Sequence, residues 1–283
     1  MKIGELLRQA AAGLREGGID EFQLEAELLL RGCLGLSRVE LHLGEREMTV
    51  AERERFADLL ARRLRREPLA YILGEKEFWS LPFLVTPAVL IPRPETESLI
   101  EEVLARIHEP AGFAGTILDL GTGSGIIPVV LARELPRANL VGVDRSSDAL
   151  AVAVENGRRH GVAGRVAWLV SDWFGGIAPA GGFSFIVTNP PYVAEAVRAS
   201  LQPELTSEPP TALFAGEDGL DDIKRLVGQA PAYLETGGWL IMEIGYDQGR
   251  AVEELLGAQP AFGSFRIVKD YAGLDRLAVA RKL

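Results

Sequence analysis

Cysteine is almost missing from this 283-residue chain, where Cys33 stands alone. A single thiol excludes an internal disulfide framework and argues against a cysteine-built metal centre. Long hydrophobic runs are missing as well: no stretch approaches the roughly 18 uninterrupted apolar residues of a membrane helix. The opening residues, MKIGELLRQAAAGLREGGID, alternate apolar and charged positions at helical spacing. They lack the apolar core and cleavage site of a secretory leader, so the expectation is a cytoplasmic protein without a membrane partner. Positive charge is in deficit, with a net charge of −10. Residues 1–76 hold 13 Lys/Arg against 14 Asp/Glu, and residues 77–283 hold 17 against 26. An acidic main domain repels a phosphate backbone at long range, which disfavours a direct nucleic-acid substrate. What is present is ordinary globular material, 47% apolar and 25% charged, with enough length for a packed core.

Residues 1–76 read as a small helical domain. IGELLRQAAAGLRE and EFQLEAELLLRGCLG repeat apolar residues at three- and four-residue spacing, with Asp20 placed to cap the second and glycines closing both. TVAERERFADLLARRLRREPLAYILG continues the pattern, with Thr49 as its cap and Pro68 as its stop. Its RRLRRE cluster reads as a solvated helix face. Residues 77–90, EFWSLPFLVTPAVL, switch to aromatic and β-branched alternation and predict a linker hairpin. Pro94 and Glu95 then open a helix. From residue 115 to the end, strands TILDL, NLVGVD, VAWLVS, FSFIVT and GWLIMEIG alternate with helical stretches. This predicts an α/β domain over 91–283, built on a mainly parallel sheet covered on both faces. The tail FRIVKDYAGLDRLAVARK predicts an antiparallel edge hairpin.

LDLGTGSGIIPVVLA, residues 118–132, runs from strand through glycine turn to helix. Gly121, Gly123 and Gly125 allow tight curvature and the close approach of a ligand, and Thr122 and Ser124 complete the loop. The spacing is not that of a dinucleotide fingerprint, and the lysine of a phosphate-binding loop is lacking. Asp144, at the end of the next strand, is placed to accept from both hydroxyls of a ribose. At the third strand end, Asp172 and Trp173 suit an adenine: a carboxylate for the exocyclic amine and an aromatic for the ring face.

The fourth strand ends in NPPY. Prolines at 190 and 191 fix two successive φ angles and hold the preceding residues extended. The Asn189 side-chain oxygen and the Pro190 carbonyl are thereby expected to form two convergent acceptors, matching one planar NH2 group. Such a nitrogen is a poor nucleophile because its lone pair is delocalised. Binding both protons aims that lone pair and stabilises the charge that develops during attack. Tyr192 is expected to pack on the flat group beside Pro191. The motif leaves open which planar nitrogen is meant: a base amine (adenine N6 or guanine N2) or a glutamine carboxamide.

Together these residues resemble the class I S-adenosylmethionine-dependent methyltransferases, a Rossmann-like fold. The longer segment REPLAYILGEKEFWSLPFLVTPAVLIPRPETESLI (66–100), and VLIPRPETE above all, resembles the protein-(glutamine-N5) methyltransferases of peptide-chain release factors. EPPTALFAGEDGL (208–220), MEIGYDQG (242–249) and DYAGLDR (270–276) match that family in order, so the resemblance covers nearly the whole chain. SEPPTAL departs from it before the final Ala-Leu. Enzymes that modify a ribosomal-protein glutamine share NPPY but fit IPRPETE less well. The resemblance implies S-adenosyl-L-methionine as cofactor, held by the 121–125 loop, Asp144, Trp173 and Asn189. It implies a glutamine bound by residues 189–192, and an N-terminal domain that helps engage a release factor at its Gly-Gly-Gln loop. The roles of Arg93, Glu95, Glu208 and Glu243 stay open at this level.

Overall fold

Helical periodicity at the N-terminus becomes five helices in the computed structural model, which describes residues 2–43 and 47–283. These are α1 (Ile3–Glu16), α2 (Phe22–Leu34), α3 (Arg38–Leu43), α4 (Val50–Leu64) and α5 (Leu69–Leu73). Their apolar stripes meet in one core that includes Leu14, Leu29, Leu30, Cys33 and Phe56, each such buried side chain worth roughly 2 kcal/mol. Thr49 caps α4 in a reciprocal box with Glu52, so two orphan N–H groups are satisfied at once. Asp20 does not cap α2: the cap position falls on Glu21, with no side-chain bond.

The compact helical unit comprises residues 1–75 together with 202–207, a segment distant in sequence. Chemistry explains the addition. Arg63 is only 5% exposed and pairs with both Glu25 and Glu204, and Arg66 joins Glu204 at 3.0 Å. Arg63 is therefore no part of a solvated helix face, as the charge run suggested. It is a buried cation held by two carboxylates, the arrangement that makes a buried charge tolerable.

The second unit spans residues 76–201 and 208–283. A hairpin opens it, β1 (Glu75–Phe78) and β2 (Leu81–Leu84), turning on Trp79 and Ser80 with φ of 53° and 55°. Two positive φ values are what a two-residue hairpin demands, although Asn-Gly usually supplies them. Here Trp79 is fixed by its own bonds, its N–H to Glu97 Oε1 at 2.7 Å and its indole N–H to Glu134 Oε1 at 3.1 Å. A 3-10 turn, Pro94–Thr96, leads into α6 (Glu97–Leu104).

Strand and helix then alternate: β3 (Thr116–Leu120), α7 (Ile126–Glu134), β4 (Asn139–Asp144), α8 (Ser147–Arg159), β5 (Val166–Val170) and β6 (Phe183–Thr188). After a long loop come α9 (Asp221–Gln229), β7 (Leu234–Glu243), α10 (Gly249–Ala258), β8 (Phe262–Lys269) and β9 (Asp275–Lys282). The seven-stranded sheet has the order β5-β4-β3-β6-β7-β9-β8. Neighbours from β5 through β7 are parallel, whereas β9 runs antiparallel to both β7 and β8. The mainly parallel α/β sheet with its antiparallel edge hairpin is therefore as the sequence predicts. Each face packs an apolar layer, one including Leu99, Ile117, Val129 and Val187, the other Leu118, Ile186, Leu226 and Leu240. Strand order reverses between β3 and β6, where helices diverge to opposite faces and a crevice opens at the carboxyl ends of the strands. Among the described residues, no helix is long and apolar enough to cross a membrane.

Candidate active site

The crevice at that reversal is an open cleft of about 1050 Å3. Four strand ends feed it. After β3 comes the glycine loop, after β4 Asp144, after β5 Asp172 and Trp173, and after β6 Asn189. Gly121, Thr122, Gly123, Ser124, Asp144, Asp172, Trp173, Asn189 and Pro191 all line it. Gly125, Pro190 and Tyr192 are not among the residues that line it, although each adjoins one that is.

Glycine is required in this loop on steric grounds. A Cβ on Gly125, where φ is +77°, would meet Ala153 at 2.9 Å, so α7 and α8 approach too closely for any side chain. A Cβ on Gly121 would lie 3.4 Å from the Trp173 ring, and 4.0 Å from the Asn189 carbonyl. The loop, the aromatic and the NPPY strand end therefore converge on one floor. At Gly123 a Cβ would meet nothing within 4 Å, so the backbone there borders open space. Two buried polar side chains pin the frame. Thr188 donates to the Leu120 carbonyl at 2.7 Å, tying β6 to β3, and Asn156 bridges Leu84 and the Ser124 carbonyl.

Asp144 is poised as an acceptor. Its Oδ2 accepts from the Gly123 N–H and its Oδ1 from the Ser146 N–H, both at 2.9 Å. Each oxygen keeps further acceptor capacity for a hydroxyl. Trp173 sits at φ 50°, a strained conformation for a bulky residue, and its indole donates to Asp222 Oδ1 at 3.0 Å. Burial pushes the Asp222 carboxyl above its usual range, with Trp173 and Arg225 opposing. Asp172 is exposed and paired with Arg225 at 2.7 Å, so one of its two oxygens is already engaged. Beneath the loop, Asp119 is 1% exposed and neither oxygen is hydrogen-bonded. Burial pushes it up to about 7. The nearby Thr122 pulls it back without forming a well-shaped bond, and Asp144 adds to the rise. S-adenosyl-L-methionine fits this set of groups: a glycine cradle open at Gly123, a carboxylate bonded to that loop with acceptor capacity to spare, and an aromatic against Gly121. Among the described residues no His/Cys/Asp/Glu cluster is arranged to hold a metal ion.

The NPPY strand end is held by side chains from three other segments. Asn189 donates from Nδ2 to Thr96 Oγ1 at 3.1 Å, and Thr96 donates to Glu243 Oε2 at 2.7 Å. Tyr192 donates to Glu243 Oε1 at 3.1 Å. The Tyr192 carbonyl accepts from Gln248 Nε2 at 3.0 Å, and that same amide also reaches the Gly219 carbonyl. Beyond it, Val193 pairs with Phe214 in an isolated parallel bridge. Arg93, on the cleft wall, is joined to the buried Glu208, which also accepts from the Ile91 N–H at 3.0 Å. The segments IPRPETE, EPPTALFAGEDGL and MEIGYDQG thus all converge on Asn189–Tyr192.

Sequence reasoning missed Asp119, Thr96, Asn156, Asp222 and Gln248. Asp119 carried a signal, as the one acid inside an otherwise apolar strand that runs straight into a glycine loop. Thr96, Asn156, Asp222 and Gln248 are joined to the site by contacts far apart in sequence, which local patterns do not encode.

A family model described as the PrmC N-terminal domain matches residues 5–74, and one described as the methyltransferase small domain matches residues 96–219. The release factor glutamine methyltransferase of Moorella thermoacetica is 42% identical over 99% of this chain and 98% of its own. That of Geobacter sulfurreducens is 43% identical over 99% of this chain and 96% of its own. Among solved structures, the hMettl16 catalytic domain in complex with MAT2A 3'UTR hairpin 6 superposes with a TM-score of 0.58 at 19% identity. That match covers 80% of this chain and 82% of the other, and it concerns the fold alone.

Proposed function

The chain belongs to the release factor glutamine methyltransferase family, and from that premise we propose that it methylates the side-chain nitrogen (N5) of the glutamine in a release factor's Gly-Gly-Gln loop, in the cytoplasm. S-adenosyl-L-methionine supplies a methyl carbon made electrophilic by its sulfonium. Gly121–Gly125 and Asp144 hold the cofactor's amino-acid and ribose portions, while Asp172 and Trp173 take the adenine. Asn189 Oδ1 accepts one N–H of the substrate carboxamide and the Pro190 carbonyl accepts the other. Pro191 and Tyr192 keep the pair rigid and water out. Holding both protons directs the nitrogen lone pair and favours the positive charge that builds on it during transfer. A base acting in that step is unnecessary, because the alkylated nitrogen is itself acidic.

The observation that carries this reading is the commitment of Asn189 Nδ2 to Thr96 at 3.1 Å. With one N–H of its amide committed to Thr96, Asn189 has its oxygen left for a donor in the cleft. A primary carboxamide is such a donor. The deficit of positive charge disfavours an extruded base, which needs a basic track to follow. Incubation with methyl-labelled cofactor, a release factor and total RNA or DNA tests the proposal. Label is expected in the release factor, and it should vanish when the Gly-Gly-Gln glutamine is replaced. Label confined to nucleic acid overturns the assignment.

A further inference from the structure

We infer that Glu243 is a positioning residue that acts through the Thr96 hydroxyl to fix which end of the Asn189 amide faces the cleft. The inference rests on the role given to Asn189 above.

Glu243 ends β7 and is fully buried, at 0% exposed. Its two oxygens accept from Thr96 and from Tyr192. A hydroxyl has one proton to give. Thr96 spends its proton on the carboxylate, so toward Asn189 its Oγ1 can only accept. The Asn189 amide therefore presents Nδ2 to Thr96 and turns its oxygen the other way. Donation runs in one direction, from Asn189 to Thr96 to Glu243, and the negative charge at the far end sets that direction. A proton on Glu243 removes the constraint. The acid can then donate to Thr96, Thr96 can donate to Asn189 Oδ1, and the amide turns its NH2 toward the cleft. Two NH2 groups would then oppose each other, and the substrate nitrogen would lose an acceptor.

The surroundings of Glu243 act on its carboxyl in both directions, with a net rise. Burial pushes its carboxyl up. Thr96 and Tyr192 lower it by their hydrogen bonds, Arg276 on β9 lowers it by its charge, and Glu95 in the turn before α6 raises it. Tyr192 is itself driven upward, by burial first and by Glu243 next, so it stays a neutral donor.

Three variants separate positioning from structure. Thr96→Val removes the relay while keeping the shape. It should lower kcat about tenfold or more, with the cofactor dissociation constant changed by less than about twofold. Thr96→Ser restores the hydroxyl and should recover most of the lost turnover. The kcat of the unaltered enzyme at saturating cofactor should fall on its acid side at a pH above the ordinary glutamate value of 4.5. Glu243→Gln should lose that acid limb, since it removes the proton on which the limb depends. A Thr96→Val enzyme with unaltered kcat, or an acid limb that persists in Glu243→Gln, overturns the relay. Methyl transfer by the unaltered enzyme to nucleic acid alone overturns the earlier substrate reading instead, so the two failures are distinguishable.

Discussion

In the proposed reaction, Asn189 concentrates the chemistry in a single side chain. One end of its amide is tied to Thr96, and the proposal assigns the other to the substrate. Because Asp144, the proposed ribose acceptor, and the glycine loop are separate from it, binding of cofactor and turnover should come apart on mutation. Asn189→Ala should lower kcat at least about a hundredfold, as loss of a preorganised polar group in a transition state does. Cofactor affinity, measured by calorimetry, should stay within a few-fold of the original. An unchanged rate would remove Asn189 from the reaction. At this scale the sequence was informative wherever a local pattern carries the chemistry. The glycine spacing, the acid ending NLVGVD and the proline pair all lie in the cleft or adjoin residues that line it. Glu243 and Glu208 could be seen as charged residues in apolar or proline-rich surroundings. Their partners, Thr96, Tyr192 and Arg93, belong to segments about 50 to 150 residues away, and no periodicity reveals such pairings.

Among the elements, the loop between β6 and β7 is placed by close approach of its backbone. Gly219 has φ +74°, and a Cβ there would lie 2.4 Å from the Tyr192 carbonyl, the oxygen that Gln248 also grips. Gly219→Ala must therefore push the loop away or distort the end of NPPY, where neither carbonyl nor backbone can yield cheaply. The expected outcome is a protein of nearly normal circular dichroism whose kcat falls about tenfold or more. Retention of full activity would show that the loop is indifferent to NPPY. Elements with strong periodicity follow the sequence closely, and every strand of the main sheet lies on a stretch that the apolar pattern marks out. The small-scale geometry is less legible. The hairpin turn uses Trp79 and Ser80 without the usual Asn-Gly, because long-range bonds to Glu97 and Glu134 compensate for its backbone. Likewise Pro94 opens a short 3-10 turn first, and the α-helix begins only at Glu97.

For the molecule as a whole, the unpartnered Asp119 predicts an unusual pH dependence of stability. Its folded-state value of about 7 lies above the ordinary aspartate value of 3.8. Between those two pH values the native state keeps a proton that the unfolded chain releases, so stability falls as pH rises through this window. The full contribution is about 4 kcal/mol, complete above pH 7 and absent below the unfolded value. Asp119→Asn carries no such charge. In the absence of cofactor its melting temperature should exceed that of the original protein by several degrees at pH 8, with the advantage shrinking toward pH 4. Parallel melting curves across that range would contradict the assignment.

The Arg63 cluster has a bearing on how such a protein can be taken apart. Its cation answers to Glu25 within the first 75 residues and to Glu204, which arrives from far downstream. A fragment cut after residue 75 would carry a sequestered guanidinium with one of its counter-ions left behind. The helical unit is thus not a detachable cassette. Splicing it onto a different catalytic body would require the six-residue patch 202–207 to be grafted with it, so recombination at a single crossover point would yield a module missing one of its own ionic fasteners.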